Sequence, residues 1–336
     1  MHPAHFLQTD AWKRFQEAQG NQTFEASTER WHWLAVLETG KFPRLYCPYG
    51  PTLASPTDLA DAVTALKQQA AAVGAHYVRI EPQIAGTDYS QASDSAHAIT
   101  QLTSELTSAQ AVRAPHSMQP EHTWHIPLIG DELDVLKNFS KTTRRYWLHD
   151  NSALGLSFRT SYNPEEIQIF LDAIHEVAAR TGMRPHSDSY FSLQAKTLMP
   201  NKNACLLVAE VDGKPAATII AFDSATTRSY AHAAAHYEFH KLQVSTLVVA
   251  YGIIEAQKIG KSYFDMYGIA PPDQPNHPWS GFTRFKQSFG GFAVSYVGTW
   301  DIPVKTQWYR AYRAASQAST LRRQAQKKLH TLRSAK

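Results

Sequence analysis

Three strand-like runs, then an apolar helix, then one more strand, constrain this chain most strongly. Residues 204–211, 214–222 and 228–235 are rich in Ala, Val, Ile and Leu, and the first two flank Asp212-Gly213. That dipeptide closes a two-residue hairpin, because both positions tolerate positive φ. A helix at 243–259 closed by Gly260, and a strand at 262–267, come next. An antiparallel hairpin running on into strand–helix–strand gives a mixed sheet whose face the helix must cover. Two helices precede the hairpin, one from Asn163-Pro164 to Gly182 and one near 187–199. Before them the pattern predicts a strand at 123–128, a helix at 131–151 and a strand at 156–160. A shorter series stands nearer the N-terminus. It has a helix at 9–19 capped by Thr9 or Asp10, a hairpin of 31–38 and 42–47 around Thr39-Gly40, a helix from Ser55-Pro56 to Val73, and a strand at 76–81. Residues 85–120 read as a weak helix plus loop. With 336 residues and 43% hydrophobic content, the chain can build two medium domains with their own cores.

The chemistry-bearing stretch lies late in the chain. Tyr263-Phe264-Asp265-Met266-Tyr267-Gly268 reads as a buried strand ending at a glycine, and a Pro-rich loop follows. Phe282-Thr283-Arg284-Phe285-Lys286-Gln287-Ser288-Phe289-Gly290-Gly291 then reads as a short helix with one lysine between large aromatics. A lysine there is either partly desolvated or snorkelling, and its ammonium is a point charge in a low-dielectric place. Such a charge can stabilise an oxyanion. The plainer alternative is a helix that packs three Phe and lets Lys286 reach water.

Formal charge is +4, unevenly placed: nine basic residues and no acid lie from Lys305 onward, which leaves residues 1–304 at −5. Trp308, Tyr312, Leu321, Ala325 and Leu329 recur in that tail at helical spacing. A basic terminal helix points to an anionic partner, RNA or a membrane surface, or to a solvated face. Cys47 and Cys205 each sit in an apolar run, which predicts a reducing compartment and no disulfide framework. No zinc-type Cys/His spacing and no HExxH occurs, so no metal site is expected. No basic and apolar leader opens the chain, and no apolar run reaches the ~18 residues of a membrane span. A soluble, cytoplasmic protein is expected.

Several segments, in this order, resemble the FemABX family of bacterial peptidoglycan aminoacyltransferases. They are Phe6-Leu7-Gln8-Thr9-Asp10-Ala11-Trp12, Pro48-Tyr49-Gly50-Pro51, Val78-Arg79-Ile80-Glu81-Pro82, Ser140-Lys141-Thr142-Thr143-Arg144-Arg145-Tyr146, Asp265-Met266-Tyr267-Gly268 and Phe285-Lys286-Gln287-Ser288-Phe289-Gly290-Gly291. The resemblance covers almost the whole chain. The element order is also that of the acyl-CoA N-acyltransferase (GNAT) fold, and the first series looks like a shortened copy. The expected class is therefore α+β, with tandem GNAT-like units, each a mixed sheet flanked by helices. The units are 1–121 with a C-terminal helix of 298–336 returning to it, and 122–297.

The resemblance implies transfer of an amino acid from aminoacyl-tRNA to the stem peptide of a muramyl-pentapeptide precursor, UDP-linked or lipid II. Aminolysis of an activated ester requires no ATP, metal or other cofactor. Lys286 matches the family's oxyanion-stabilising lysine, and Phe285 the aromatic that stacks on the terminal adenine. Arg184-Pro185 with Tyr190-Phe191 resembles a segment in which the Arg pairs with the precursor diphosphate and the Tyr with the acceptor. A second phosphate-binding base is expected four residues after Trp12, but Gln16 stands there; Lys13 and Arg14 are the nearby substitutes. Glu81 stands in the family's Arg-x-acid-Pro strand, to orient the peptide or to pair with Arg79. In the strand Tyr230-Ala231-His232, His232 replaces a usual tyrosine, to bind the donor, to accept a proton, or as a buried His with a backbone partner. Arg322, Arg323, Lys327 and Lys328 are the candidates for the tRNA acceptor stem, or for the inner membrane leaflet.

Two competing readings differ in donor or in activity. One is a same-fold N-acyltransferase using acyl-CoA or an acyl carrier on a small amine. Pyrophosphate binding needs a Gly-rich turn at a helix N-terminus, and His240-Lys241-Leu242-Gln243-Val244-Ser245-Thr246 contains no glycine. The other is a catalytically silent module that only binds RNA or cell-wall precursors.

Overall fold

The computed structural model describes residues 5–85, 87, 90–149 and 155–334; side chains at 92, 323–325 and 327–334 fall outside the described part. Its helices are α1 (Asp10–Ala18), α2 (Leu59–Ala72), α3 (Ala92–Ser108), α4 (Glu132–Lys137), α5 (Lys141–Leu148), α6 (Ile167–Thr181), α7 (Asp188–Leu198), α8 (Val244–Lys258), α9 (Ser280–Gln287) and α10 (Thr306–Ser334). Its strands are β1 (Gln22–Ser27), β2 (Trp31–Glu38), β3 (Arg44–Cys47), β4 (Thr52–Leu53), β5 (Tyr77–Ile80), β6 (Gln83–Ile84), β7 (Val112–Arg113), β8 (His122–Pro127), β9 (Leu156–Ser161), β10 (Ala204–Val211), β11 (Lys214–Asp223), β12 (Thr227–Ala235), β13 (Tyr263–Gly268), β14 (Phe292–Ser295) and β15 (Trp300–Pro303). Among the described residues, no helix is long and apolar enough to cross a membrane.

The chain divides into two compact units: a larger one of 1–20, 86–97 and 120–296, and a smaller one of 21–85, 98–119 and 297–336. Residues 5–20, expected with 21–121, sort instead with the larger unit. Aromatic packing explains this: Phe6 stacks on Phe222 at 4.6 Å and Phe15 meets Tyr190 edge-on at 5.3 Å.

The larger unit is a seven-stranded sheet in the order β14-β8-β13-β12-β11-β10-β9. The β12–β13 pair is parallel and the other neighbours are antiparallel. Leu207, Ile219, Phe264 and Met266 bury one face against Val248 and Ile253 of α8. Such a strip, free of polar atoms, is the unit's main hydrophobic stabilisation. α6 and α7 lie with β10, β11 and β12. The helix expected at 131–151 is broken into α4 and α5. Ser140 ends the first by extending its backbone, donating its N–H to the Ser288 carbonyl (2.8 Å), and caps the second by accepting from the Thr143 N–H (3.2 Å).

The smaller unit is a mixed sheet in the order β6-β4-β2-β3-β5-β15-β7, with β1 added on β2. Trp33, Leu45, Val78 and Ile80 pack with Leu59, Val63 and Leu66 of α2. The C-terminal helix α10 belongs to this unit. Arg79 forks onto both oxygens of Asp301 (2.7 and 2.9 Å) and donates to the Tyr312 hydroxyl (2.8 Å). Tyr312 also stacks on Tyr77 at 4.9 Å, and Trp308 on His76 at 4.9 Å.

Candidate active site

The central strand pair of the larger sheet forks. β12 and β13 are paired only at Thr227↔Tyr263, Arg228↔Phe264 and Ser229↔Asp265. Beyond Ser229, β12 runs on to Ala235 with β11 as its ladder partner. Tyr230, Ala231, His232 and Ala233 are consequently half-buried although β12 is the middle strand of seven. A bulge adds to this: Ala221 opposes Tyr230 and Ile220 opposes His232, so Ala231 is the extra residue. Tyr230 and His232, two apart, therefore face opposite sides of the sheet, against the ordinary strand period. Tyr230 joins the core beneath α8, where burial pushes its hydroxyl up to about 12. His232 lies among Phe191 (5.1 Å), His186 (6.1 Å) and Phe222 (6.2 Å). Burial, helped by His186, pushes it down to about 4, so at neutral pH it is an uncharged imidazole.

Lys286 sits at the β13 end of the fork. It is 8% exposed, and its Nζ donates to the Gly268 carbonyl at 2.6 Å, where β13 ends. Burial lowers it to about 8, against the attraction of Asp265. It neither sits in a cage of three Phe rings nor reaches for water. Phe285 and Phe289 meet edge-on at 5.3 Å and pack with the α8 core, while Phe282 is 64% exposed. Gly290 and Gly291 end this region with φ of +76° and +93°. A Cβ on Gly291 would lie 2.2 Å from the His125 carbonyl oxygen, so only glycine allows the close approach.

The chain matches the model of one protein family, FemAB, over residues 1–215 and 212–317. The chain belongs to the FemAB family. No curated protein sequence matches it at a significant level. Among solved structures it is similar to FemX, at TM-score 0.78 and 13% identity over 92% of this chain and 94% of that one. A second is the C-terminal domain of a putative lysylphosphatidylglycerol synthetase from Agrobacterium fabrum, with TM-score 0.57, 12% identity and coverage of 92% and 93%. A third is a tandem GNAT protein from the clavulanic acid biosynthesis pathway, with TM-score 0.52, 12% identity and coverage of 90% and 90%. The fold is a tandem of GNAT-like α+β units, and membership of FemAB makes the protein a transferase of the peptidoglycan-bridge type.

The other residues expected at the site lie on α1, in the connection from α6 to α7, on α7, in the smaller unit and on α10. Tyr190 opens α7 beneath the His186 ring, stacked at 4.1 Å, and burial pushes its hydroxyl up to about 12. Arg184, in the loop between α6 and α7, is exposed. On α1, Lys13 is half-buried, and Arg14 turns away to donate to Asn203 Oδ1 at 3.2 Å. Arg14 thus links α1 to the turn that enters β10. Glu81, in the smaller unit, does not pair with Arg79, which Asp301 has captured. Its carboxylate accepts instead from the Tyr46 hydroxyl (3.0 Å), the Tyr49 N–H (3.1 Å), the Gln119 N–H (3.0 Å) and the Thr299 hydroxyl (2.7 Å). Burial raises this carboxyl above its ordinary value, and those four donors offset only part of the rise. Arg322 is exposed on α10; the side chains of Arg323, Lys327 and Lys328 lie outside the described residues.

Sequence reasoning named the segment of Asp265 and Tyr267 without assigning either a role, and passed over His5 and His125. Asp265 is 1% exposed, and His125 Nε2 lies 3.5 Å from its Oδ1. Burial raises this carboxyl, yet His125, His5 and the Tyr267 N–H together hold it below its ordinary value. His5 packs edge-on to Tyr267 at 6.0 Å and is pushed down to about 4 by burial. The signal available was an acid inside an apolar strand, a residue that is almost never buried without partners.

Proposed function

We propose that this FemAB protein transfers an aminoacyl group from tRNA to the amine of a peptidoglycan stem peptide. The acceptor is a muramyl-pentapeptide precursor, UDP-linked or lipid-linked, and the product bond belongs to the interpeptide bridge. The observation that carries this reading is a buried ammonium, Lys286, held at the open end of a forked central strand pair. The neutral acceptor amine attacks the ester carbonyl carbon, and a C–N bond forms as the carbonyl oxygen takes up negative charge. One Lys286 N–H is used by Gly268, which leaves two to meet that oxyanion. Collapse breaks the C–O bond to the ribose, and the amine proton leaves with the ribose oxygen. His232, uncharged at the fork, accepts a hydrogen bond from the donor amino acid. Arg184, with its guanidinium exposed, suits the precursor diphosphate.

The turn entering α8 favours a donor other than coenzyme A. Gln243 occupies its left-handed position at φ 56°, flanked by Leu242 and Val244, so side chains stand where a pyrophosphate would meet backbone N–H groups. The basic segment from Lys305 onward, most of it α10, supplies attraction for tRNA that residues 1–304, at −5, do not. Incubation with a mixture of charged tRNAs and each of the two precursors, read by mass, tests the proposal. A product heavier by one aminoacyl residue is expected. No mass shift with either precursor, alongside acylation of a small amine from acyl-CoA, overturns it.

A further inference from the structure

We propose that Asp265 is the positioning residue for Lys286: its carboxylate fixes the turn that offers the Gly268 carbonyl to the lysine and supplies the buried negative charge that faces the ammonium. For its catalytic consequence this rests on the transferase reading above; its physical content does not.

The turn comes first. Against β8, Asp265 pairs with His125 and Gly268 with Thr123, so β13 uses three steps where β8 uses two. One residue is therefore extra. Tyr267 absorbs it, at φ 59°, in the left-handed region that a bulky aromatic rarely adopts. Asp265 Oδ1 accepts the Tyr267 N–H at 2.8 Å, a side-chain-to-backbone bond of the kind that stabilises such turns. The next residue is Gly268, whose carbonyl receives Lys286 Nζ at 2.6 Å. Without the turn, that carbonyl would point elsewhere and the lysine would lose its anchor.

The charge comes second. The titratable groups on this side of the strand end are Asp265 and Tyr267 of β13, His125 of β8, His5 of the N-terminal segment and Tyr190 of α7. Arg284, on α9 itself, is exposed. Asp265 is the carboxylate of this set and the group whose attraction opposes the desolvation of Lys286. Asp265 is also the last β13 residue paired with β12, so it stands at the crotch of the fork. One side chain thus links the fork, the strained turn and the ammonium.

The test separates charge from turn. Asp265→Asn keeps an oxygen that accepts the Tyr267 N–H but removes the charge, and Asp265→Ser, smaller and still an acceptor, is read in the same way should Asn fold poorly. Lysines are labelled by reductive 13C-methylation, with Lys286→Met assigning the resonance. The Lys286 titration midpoint, near 8 in the native protein, is expected to fall by about 1 pH unit when the opposite charge is lost. The alkaline limb of kcat/KM should move with it, giving about fivefold lower kcat/KM at pH 8. Asp265→Ala, which loses turn and charge together, should reduce kcat/KM further at every pH. A Lys286 midpoint unchanged in folded Asp265→Asn overturns the proposal. A shifted midpoint in a protein that transfers no aminoacyl group supports the positioning and retires the transferase reading.

Discussion

Lys286→Met removes a buried charge while nearly conserving volume, and its consequence for stability has a definite sign. The ammonium is 8% exposed and is lowered from 10.5 to about 8. At ~1.4 kcal/mol per pH unit, the protonated form is disfavoured in the fold by about 3 kcal/mol relative to the unfolded chain. Opposing this, the Gly268 carbonyl loses its donor, at a cost of about 1–3 kcal/mol. At pH 7 the two nearly cancel, so the Met variant should lie within ~2 kcal/mol of the native protein. The pH dependence is sharper. Below 8, both folded and unfolded lysine are protonated and the full penalty acts. Between about 8 and 10.5, the folded state has lost a proton that the unfolded state still holds, so native stability rises with pH. The Met variant has no such contribution. Its stability relative to the native protein should therefore fall by up to about 3 kcal/mol across that window. Urea midpoints at pH 7, 8, 9 and 10 measure it. In the same variant, kcat should fall by about two to three orders of magnitude, as for loss of an oxyanion donor. A stability difference flat with pH would refute the desolvation argument, and near-normal turnover would refute the catalytic one.

Arg184→Ala should raise KM for the precursor more than it lowers kcat, because a diphosphate contact lies far from the reacting amine; steady-state kinetics with precursor varied at fixed tRNA would expose the reverse pattern. Ending the chain after Ala318 removes Arg322, Arg323, Lys327, Lys328, Arg333 and Lys336 but keeps Tyr309 and Tyr312, which anchor α10. That truncation should weaken tRNA binding and flatten its salt dependence, each lost phosphate contact lowering the slope by about 0.7–0.9; unchanged tRNA affinity with lost sedimentation on anionic vesicles would assign the tail to membrane instead. Gly291→Ala should cost more than ~1 kcal/mol in a urea melt, because its positive φ and the His125 carbonyl both oppose a Cβ.

The parts of the fold that sequence makes legible are those set by local rules. Asp212-Gly213 dictates the β10–β11 hairpin, and Gly182 and Gly260 mark where α6 and α8 stop. Long-range pairing is less legible. β7, β14 and β15 are short strands of two to four residues whose partners lie far along the chain, so no local alternation announces them; β1 is a local hairpin partner of β2, but its mostly exposed polar residues leave no apolar alternation to read. The helix break at Asn138–Ser140 depends on Ser288, nearly 150 residues away. The same division holds at the site. The Phe285-Lys286 pair is a local motif, and its helix is where the spacing places it. The bulge at Ala231, which turns Tyr230 and His232 to opposite faces, follows from pairing with β11 and leaves no mark in the strand's own alternation.

Stability alone does not account for a lysine at position 286. A neutral donor such as Asn or Gln can satisfy a backbone carbonyl without burying a charge. The ammonium loses about as much in desolvation as its hydrogen bond to Gly268 returns, and it needs a second buried charge, Asp265, to moderate the loss. Asp265 in turn is buried with His125 and a strained Tyr267 around it. Three separately unfavourable features therefore converge on one strand end. Local strain and buried charge persist where the surrounding fold over-determines them, and they concentrate at functional sites. The coherent explanation is that the charge itself is what the position retains. On the aminoacyl-transfer mechanism proposed above, the place where it is held, at the open end of β12 and β13, is where a carbonyl developing negative charge would use it.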